Sequence, residues 1–281
     1  MDTRQLEAMN ALRQMLLWGL RDLSELVYPR ECILTGDAIE ETGGISLVEG
    51  PIARESGASL KLGGPHAFRY LSREALETIS WVRQPWCPSC GQPHAGELAG
   101  EDRLCANCSE LQPAGLWSAG RTAFLLKETG RQIVHTLKYH SGDFLLHDLQ
   151  QLVKIPPDYT QFVRGSTVVP VPLHPARLRE RGFNQSELIA EALVTGQADV
   201  KIARLLRRVR WTQTQTRRDR AARQANVRGA FALADKVRVS PEVTYTVVDD
   251  VFTTGATLQA CCRVLRQAGA RHIQILTLAH G

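Results

Sequence analysis

The segment Val247-Val248-Asp249-Asp250-Val251-Phe252-Thr253-Thr254-Gly255-Ala256-Thr257 decides how the rest of the chain reads. An apolar run over 243–248 predicts a buried strand. Two adjacent carboxylates close it, a short turn of hydroxyls and glycine follows, and the periodic stretch from Thr257 to Ala268 predicts a helix closed by Gly269. In an open α/β sheet, ligands sit beyond the carboxyl ends of the strands. The first N–H groups of a helix have no partner inside it and, with the helix dipole, attract a phosphate. Thr253, Thr254 and Thr257 add hydroxyl donors, and Gly255 lets the backbone approach. The carboxylates Asp249 and Asp250 are wrong for a phosphate but suit the two hydroxyls of a ribose. The segment therefore reads as a binder of a ribose 5-phosphate unit. An aspartate capping a helix, with threonines serving a turn, would explain one Asp and one Thr but not the whole run.

Outward from this segment the pattern is α/β. Residues 121–127, 167–171 and 272–278 predict strands, and the stretches around Ile133 to Leu137 and Phe144 to Val153 predict helices. Asn184 followed by Glu187 before an apolar run is a helix-start signal. Strands alternating with helices imply a mainly parallel sheet. Nearer the N-terminus, Leu6, Met9, Leu12, Leu16, Leu20, Leu23 and Val27 predict one amphipathic helix over 4–27. Residues 36–65 predict irregular loops or a hairpin, and 66–82 carry a weak helical pattern.

Four of the seven cysteines form Cys87-Pro-Ser-Cys90 and Cys105-Ala-Asn-Cys108. Two such pairs at this separation have the spacing of a tetrathiolate zinc site. Four protein ligands leave no open position, so the expected role is folding and not catalysis. Gly91 follows the first pair, where the turn needs a permissive backbone. Cys261 and Cys262 read as core residues and Cys32 as a free thiol. His135, His140, His147 and His174 match no metal-ligand spacing.

The 281 residues are 43% apolar and 22% charged, which excludes a disordered chain. No apolar run is long enough for a membrane-spanning helix. The N-terminus lacks a basic segment followed by an apolar one, so a secretory signal is not expected and a cytoplasmic location is. Residues 1–110 carry 10 Lys/Arg and 16 Asp/Glu, whereas 111–281 carry 24 and 13. The C-terminal part is thus built to meet anions such as phosphates or nucleic acid.

The eleven-residue segment resembles the phosphoribosyl-diphosphate (PRPP) signature of type I phosphoribosyltransferases, with Phe252 where a smaller aliphatic is usual. Before it come, in order, Leu137-Lys138-Tyr139-His140, Val169-Pro170-Val171-Pro172-Leu173-His174, Arg179-Glu180-Arg181-Gly182-Phe183-Asn184-Gln185 and Asn226-Val227-Arg228-Gly229-Ala230-Phe231. On these motifs the chain resembles the ComF/GntX family of competence-associated phosphoribosyltransferase-like proteins, over about residues 83–281. The resemblance implies a type I phosphoribosyltransferase-like α/β fold over 117–281, a four-cysteine zinc ribbon over 83–116, and an N-terminal helix with a degenerate first zinc module over 1–82. Members of the family resemble one another in two Cys-based modules; here Cys32 stands alone in the first, which is expected to be metal-free.

The resemblance also implies ligands. PRPP would bind with Asp249 and Asp250 on the ribose, residues Val251, Phe252, Thr253, Thr254, Gly255, Ala256 and Thr257 around the 5-phosphate, and Val171, Pro172, Arg177, Arg179, Arg181 and Lys138 toward the pyrophosphate. Mg²⁺ would accompany the ligand, and an unidentified nitrogenous acceptor would take the phosphoribosyl group. The chain ends directly after its last strand, so any hood over the acceptor is expected from residues 1–120. Residues 204–228 hold nine arginines, Trp211 and one acid, Asp219. They read as a lid over the reaction centre, as a nucleic-acid surface, or as a solvated charged helix. The competing functional reading is a non-enzymatic accessory factor in competence and DNA uptake that binds single-stranded DNA or a helicase partner.

Overall fold

The computed structural model describes residues 31–37, 39, 68–94, 103–111, 115–139, 142–156, 158–211, 227 and 229–281. The helix expected over 4–27, most of the loops expected over 36–65, and residues 212–226 and 228 of the arginine-rich segment lie outside these residues.

A five-stranded parallel sheet forms the frame. Its two long central strands are β6 (Thr244–Phe252) and β7 (His272–His280). β1 (Gly120–Leu125) flanks β7, β2 (Thr167–Pro170) flanks β6, and β3 (Lys201–Ile202) closes the far edge. Strand residues alternate between two apolar layers, as a sheet buried on both faces requires. Val168, Val248 and Leu276 face one layer, while Val169, Val247 and Ile275 face the other. The first layer is filled by α3 (Glu128–Tyr139), α4 (Leu146–Leu152) and α6 (Gln185–Val194), through residues such as Ile133, Leu149 and Ile189. The second is filled by α7 (Ala256–Gln267), whose Leu258, Cys261, Cys262 and Leu265 are fully buried. Cys261 and Cys262 are thus core residues, as expected.

Three local features depart from the sequence reading. β6 runs four residues past its expected end, through both aspartates, because β7 runs equally far and continues the ladder with Asp249 opposite Thr277 and Phe252 opposite His280. Asn184 caps α6 by accepting from the Ser186 amide at 3.1 Å, but Glu187 does not complete a capping box; its carboxylate is paired with Arg204 at 2.8 Å. The arginine-rich segment leaves the sheet through a short antiparallel ribbon, β4 (Leu206–Arg208) and β5 (Phe231–Leu233), whose alternation the arginines conceal.

The cysteine-bearing segments and residues 68–82 pack on the sheet. Pro88 accepts from the Gly120 amide at 2.8 Å, and Ser89 accepts from the Trp117 indole at 2.9 Å. The short helix α1 (Arg73–Glu77) follows a stretch held by buried Asp148, which accepts from the amides of Arg69 and Tyr70 at 2.7 and 2.8 Å. Among the described residues no helix is long and apolar enough to cross a membrane.

Candidate functional site

A cavity of about 490 Å³ opens at the carboxyl ends of β2 and β6. It is lined by Lys138, Val171, Pro172, Arg177, Arg181, Asp249, Asp250, Val251, Thr253, Thr254, Gly255, Ala256 and Thr257. Two candidates from the sequence do not line it. Phe252 is wholly buried beneath the loop, stacked on His280 with centroids 4.9 Å apart, and Arg179 lies outside the lining.

The two carboxylates at the end of β6 are nearly buried and differently held. Asp249 accepts from the Ser186 hydroxyl at 3.2 Å and the Asp250 amide at 2.9 Å. Burial, reinforced by the neighbouring Asp250 charge, pushes its carboxyl up to about 7. Asp250 Oδ2 faces the Lys138 ammonium at 3.0 Å and accepts no hydrogen bond. One carboxylate is therefore satisfied by the fold, and the other keeps a buried oxygen with a charge partner but no donor aligned on it.

The loop beyond them is shaped by tight packing. Gly255 takes φ +73°, and a Cβ there would come within 2.9 Å of both Leu111 and the Phe252 ring. Only glycine fits this approach and this backbone. Gly255 then opens α7 without any side-chain cap. The first backbone bond of the helix runs from Gln259 N to Gly255 O, so the amides of Ala256, Thr257 and Leu258 have no partner inside it. The Ala256 amide reaches Thr254 Oγ1 only at a long 3.4 Å. The uncapped start of α7 and the residues Thr253, Thr254 and Thr257 line one side of the cavity, where free amides and the helix dipole attract an anion.

The opposite wall is basic. α5 (Pro175–Arg181) starts with Pro175 behind a His174 cap, whose Nδ1 accepts from the Ala176 amide at 3.2 Å. Arg177 and Arg181 face the cavity from this helix, and Arg181 is fixed by donating to Gln185 Oε1 at 2.6 Å. Arg131, His135, Arg208, Trp211 and Gln185 also line the cavity. In the sequence His135 matches no ligand spacing and Arg208 is one of nine arginines over 204–228, so neither stands out. The signal that could have singled out Arg208 is its place in Leu206-Arg207-Arg208, where strand alternation sends Arg207 outward and Arg208 inward. Burial lowers the Arg208 guanidinium from its ordinary value, and the charge of Asp249 opposes that shift.

Behind the loop lies the cysteine cluster. The sulfurs of Cys87, Cys90, Cys105 and Cys108 all lie within 4.8 Å of one another, and those of Cys90 and Cys105 are 3.7 Å apart. Metal–sulfur bonds of about 2.3 Å in a tetrahedron would place sulfurs about 3.8 Å apart, so the four thiols can hold a metal ion. The amide of Cys105 donates to Cys87 Sγ and that of Cys108 to Cys105 Sγ, each at 3.4 Å, bonds that favour thiolates. Gly91 takes φ +80° in the turn after the first pair. The second pair opens α2 (Ala106–Leu111), which touches the loop directly: Asn107 donates to the Thr253 carbonyl at 3.3 Å, and Leu111 packs on Gly255. Cys32 is buried and stands apart from the only four-cysteine group among the described residues.

No family profile matches the chain. The DNA utilization protein YhgH of Salmonella typhi is 30% identical over 200 residues, an alignment covering 68% of this chain and 82% of that protein. Competence protein F of Haemophilus influenzae is 28% identical over 199 residues, covering 69% and 84%. Competence protein ComFC of Streptococcus pneumoniae is 28% identical over 215 residues, covering 74% and 86%. Among solved structures, a hypoxanthine phosphoribosyltransferase of Staphylococcus aureus superposes with a TM-score of 0.27 at 13% identity, covering 54% of this chain and 64% of that one, which decides nothing about ligand or reaction. The competence and DNA-utilization proteins align along most of their own length, and the chain belongs to their family, the ComF family of competence-associated phosphoribosyltransferase-like proteins.

Proposed function

We propose that the cavity binds an activated ribose 5-phosphate of the PRPP type and that the chain transfers its phosphoribosyl group to a nitrogenous acceptor. One observation carries the reading: two nearly buried carboxylates lie one short loop from an uncapped helix N-terminus in the same cavity. Anion donors and hydroxyl acceptors at that spacing suit a sugar phosphate better than either a free phosphate or a free sugar. Asp249 and Asp250 take the ribose hydroxyls, and the loop from Thr253 to Thr257 takes the 5-phosphate. Arg177, Arg181 and Lys138 meet the pyrophosphate, where forked guanidinium donors match its oxygens.

In the transfer, the acceptor nitrogen forms a bond to the anomeric carbon as the bond to pyrophosphate breaks. Pyrophosphate leaves with the electron pair, and the nitrogen gives up its proton to solvent. Asp250 Oδ2, nearly buried and facing the Lys138 ammonium at 3.0 Å, is a hard oxygen of the kind that would hold Mg²⁺. Such an ion would neutralise charge on the leaving group. The four cysteines hold structural zinc. The transferase-like domain spans 117–281, the zinc ribbon 83–116, and the helix with the degenerate module 1–82. Calorimetric titration of PRPP with Mg²⁺, followed by a screen of nitrogenous acceptors for pyrophosphate release, tests this reading. Absence of PRPP binding would sink it.

A second reading is favoured by the names of the relatives and by Trp211, exposed beside Arg177. It is a non-enzymatic accessory role in DNA uptake, with single-stranded DNA or a helicase as partner. Oligothymidine affinity that falls steeply with salt, without PRPP turnover, would favour it.

A further inference from the structure

Two residues at the start of α6, Asn184 and Ser186, reach opposite sides of the cavity from behind it. Neither lines the cavity, and their exposures are 6% and 0%. Asn184 Nδ2 donates to the Val171 carbonyl at 3.0 Å. Val171 continues β2 by donating its amide to the Val248 carbonyl at 2.9 Å, and it leads into the wall formed by Pro172 and α5. Ser186 Oγ donates to Asp249 Oδ1 at 3.2 Å, on the carboxylate side. The two residues are themselves joined, since Asn184 Oδ1 accepts from the Ser186 amide at 3.1 Å. A bonded path thus runs from Val171 through Asn184 and Ser186 to Asp249. Helix capping accounts for the last of these bonds alone. The amide nitrogen of Asn184 and the hydroxyl of Ser186 are free to serve local carbonyls, as such side chains commonly do, yet both are aimed at other elements of the fold.

We propose that Asn184 and Ser186 are positioning residues that hold the pyrophosphate wall in register with the ribose carboxylates, so that one PRPP molecule spans both. The inference rests on the sugar-phosphate reading above. A ligand made of two linked parts gains over its separate parts only while the two half-sites keep the right separation. A displacement of about 1 Å between them is enough to lose much of that gain. Ribose 5-phosphate alone, or pyrophosphate alone, does not sense the separation.

The test uses the full chain and titrates PRPP, ribose 5-phosphate and inorganic pyrophosphate separately by calorimetry, each with Mg²⁺. Asn184→Ser keeps a capping oxygen but is too short to reach Val171, and Ser186→Ala removes the hydroxyl on Asp249. Thermal unfolding controls for the fold, and either variant carries the test if the other fails to fold. Each should lower PRPP affinity roughly tenfold or more, while ribose 5-phosphate and pyrophosphate stay within about threefold. The double variant should lose little more than the worse single one, because either change severs the same path. Equal weakening of all three ligands would mean a general loosening of the fold and overturns the inference. So do variants that bind PRPP as the wild type does, or losses that add in the double variant, and in these cases the sugar-phosphate reading stands. A wild type that binds neither PRPP nor ribose 5-phosphate overturns both.

Discussion

Lys138 Nζ lies 3.0 Å from Asp250 Oδ2, and that buried oxygen accepts no hydrogen bond. The pair is lopsided: the lysine side chain is 27% exposed and the carboxylate 7%. Removing the ammonium leaves a carboxylate in the wall without its counter-charge, which costs more than the intact pair contributes. Lys138→Met should therefore lose about 1–3 kcal/mol, toward the lower part of the range because the lysine is partly solvated. Adding Asp250→Asn should restore more than half of the loss. Urea denaturation of the wild type, both single variants and the double variant measures the coupling, and additive effects would show that the contact is incidental.

Asp249 makes stability depend on pH in a defined direction. Its carboxyl is raised to about 7 by burial and then by Asp250, against an unfolded value of about 3.9. Between these values the folded state holds a proton that the unfolded state has lost, so this group's contribution falls as pH rises from about 4 to about 7. Asp249→Asn keeps an oxygen to accept from Ser186 and from the Asp250 amide while abolishing the ionisation. The variant should be more stable than the wild type at pH 8, by on the order of 4 kcal/mol at most, and the gap should close by about pH 4. Thermal unfolding of both proteins across that range checks it. A gap that stays constant with pH would refute the assignment.

Replacing Asp249 and Asp250 together with Asn keeps their shape and removes their charge. Charge-assisted hydrogen bonds to ribose hydroxyls contribute about 1.5–3 kcal/mol each, so PRPP affinity should fall at least tenfold. Calorimetric titration with Mg²⁺ gives the affinity, and thermal unfolding controls for the fold. Equal affinity in the two proteins would remove ribose from this pair.

The metal prediction is stoichiometric. Purified protein should carry one zinc per chain, and Cys87→Ser should lose it and lower the unfolding temperature, because Cys87, Cys90 and Cys108 are buried in a layer shared with the sheet. Elemental analysis that finds two zinc ions, or none, contradicts the assignment.

What the sequence showed and hid follows from period and range. The strand–loop–helix around Asp249 was legible because its apolar run, its glycine and its helix start are contiguous. The cysteine pairs were legible because a metal site imposes short, fixed spacings. The reach of β6 through Asp249 to Phe252 was not, since it depends on β7 running alongside, a contact distant in sequence. The ribbon of Leu206–Arg208 and Phe231–Leu233 was hidden because three-residue strands carry too little alternation and arginines fill them. Phe252 looked like part of the binding loop by position, yet pleating turns its ring down onto His280. The bonds from Asn184 to Val171 and from Ser186 to Asp249 escaped notice because each joins residues from separate elements.

The helix that bears Cys108 is also the wall behind Gly255 and, through Asn107, a donor to Thr253. An ion on the cysteines and a phosphate on the loop then share one piece of backbone, and their binding equilibria are reciprocal: whatever factor the metal adds to phosphate affinity, the phosphate adds to metal affinity. Ribose 5-phosphate should slow removal of zinc by a chelator, and the zinc-depleted chain should bind ribose 5-phosphate less tightly. Asn107→Ala, a change to a partly exposed side chain that removes the bond to the Thr253 carbonyl, should shrink both effects together. A cluster four ligands deep and closed to chemistry would in this way set the affinity of a site that it never touches.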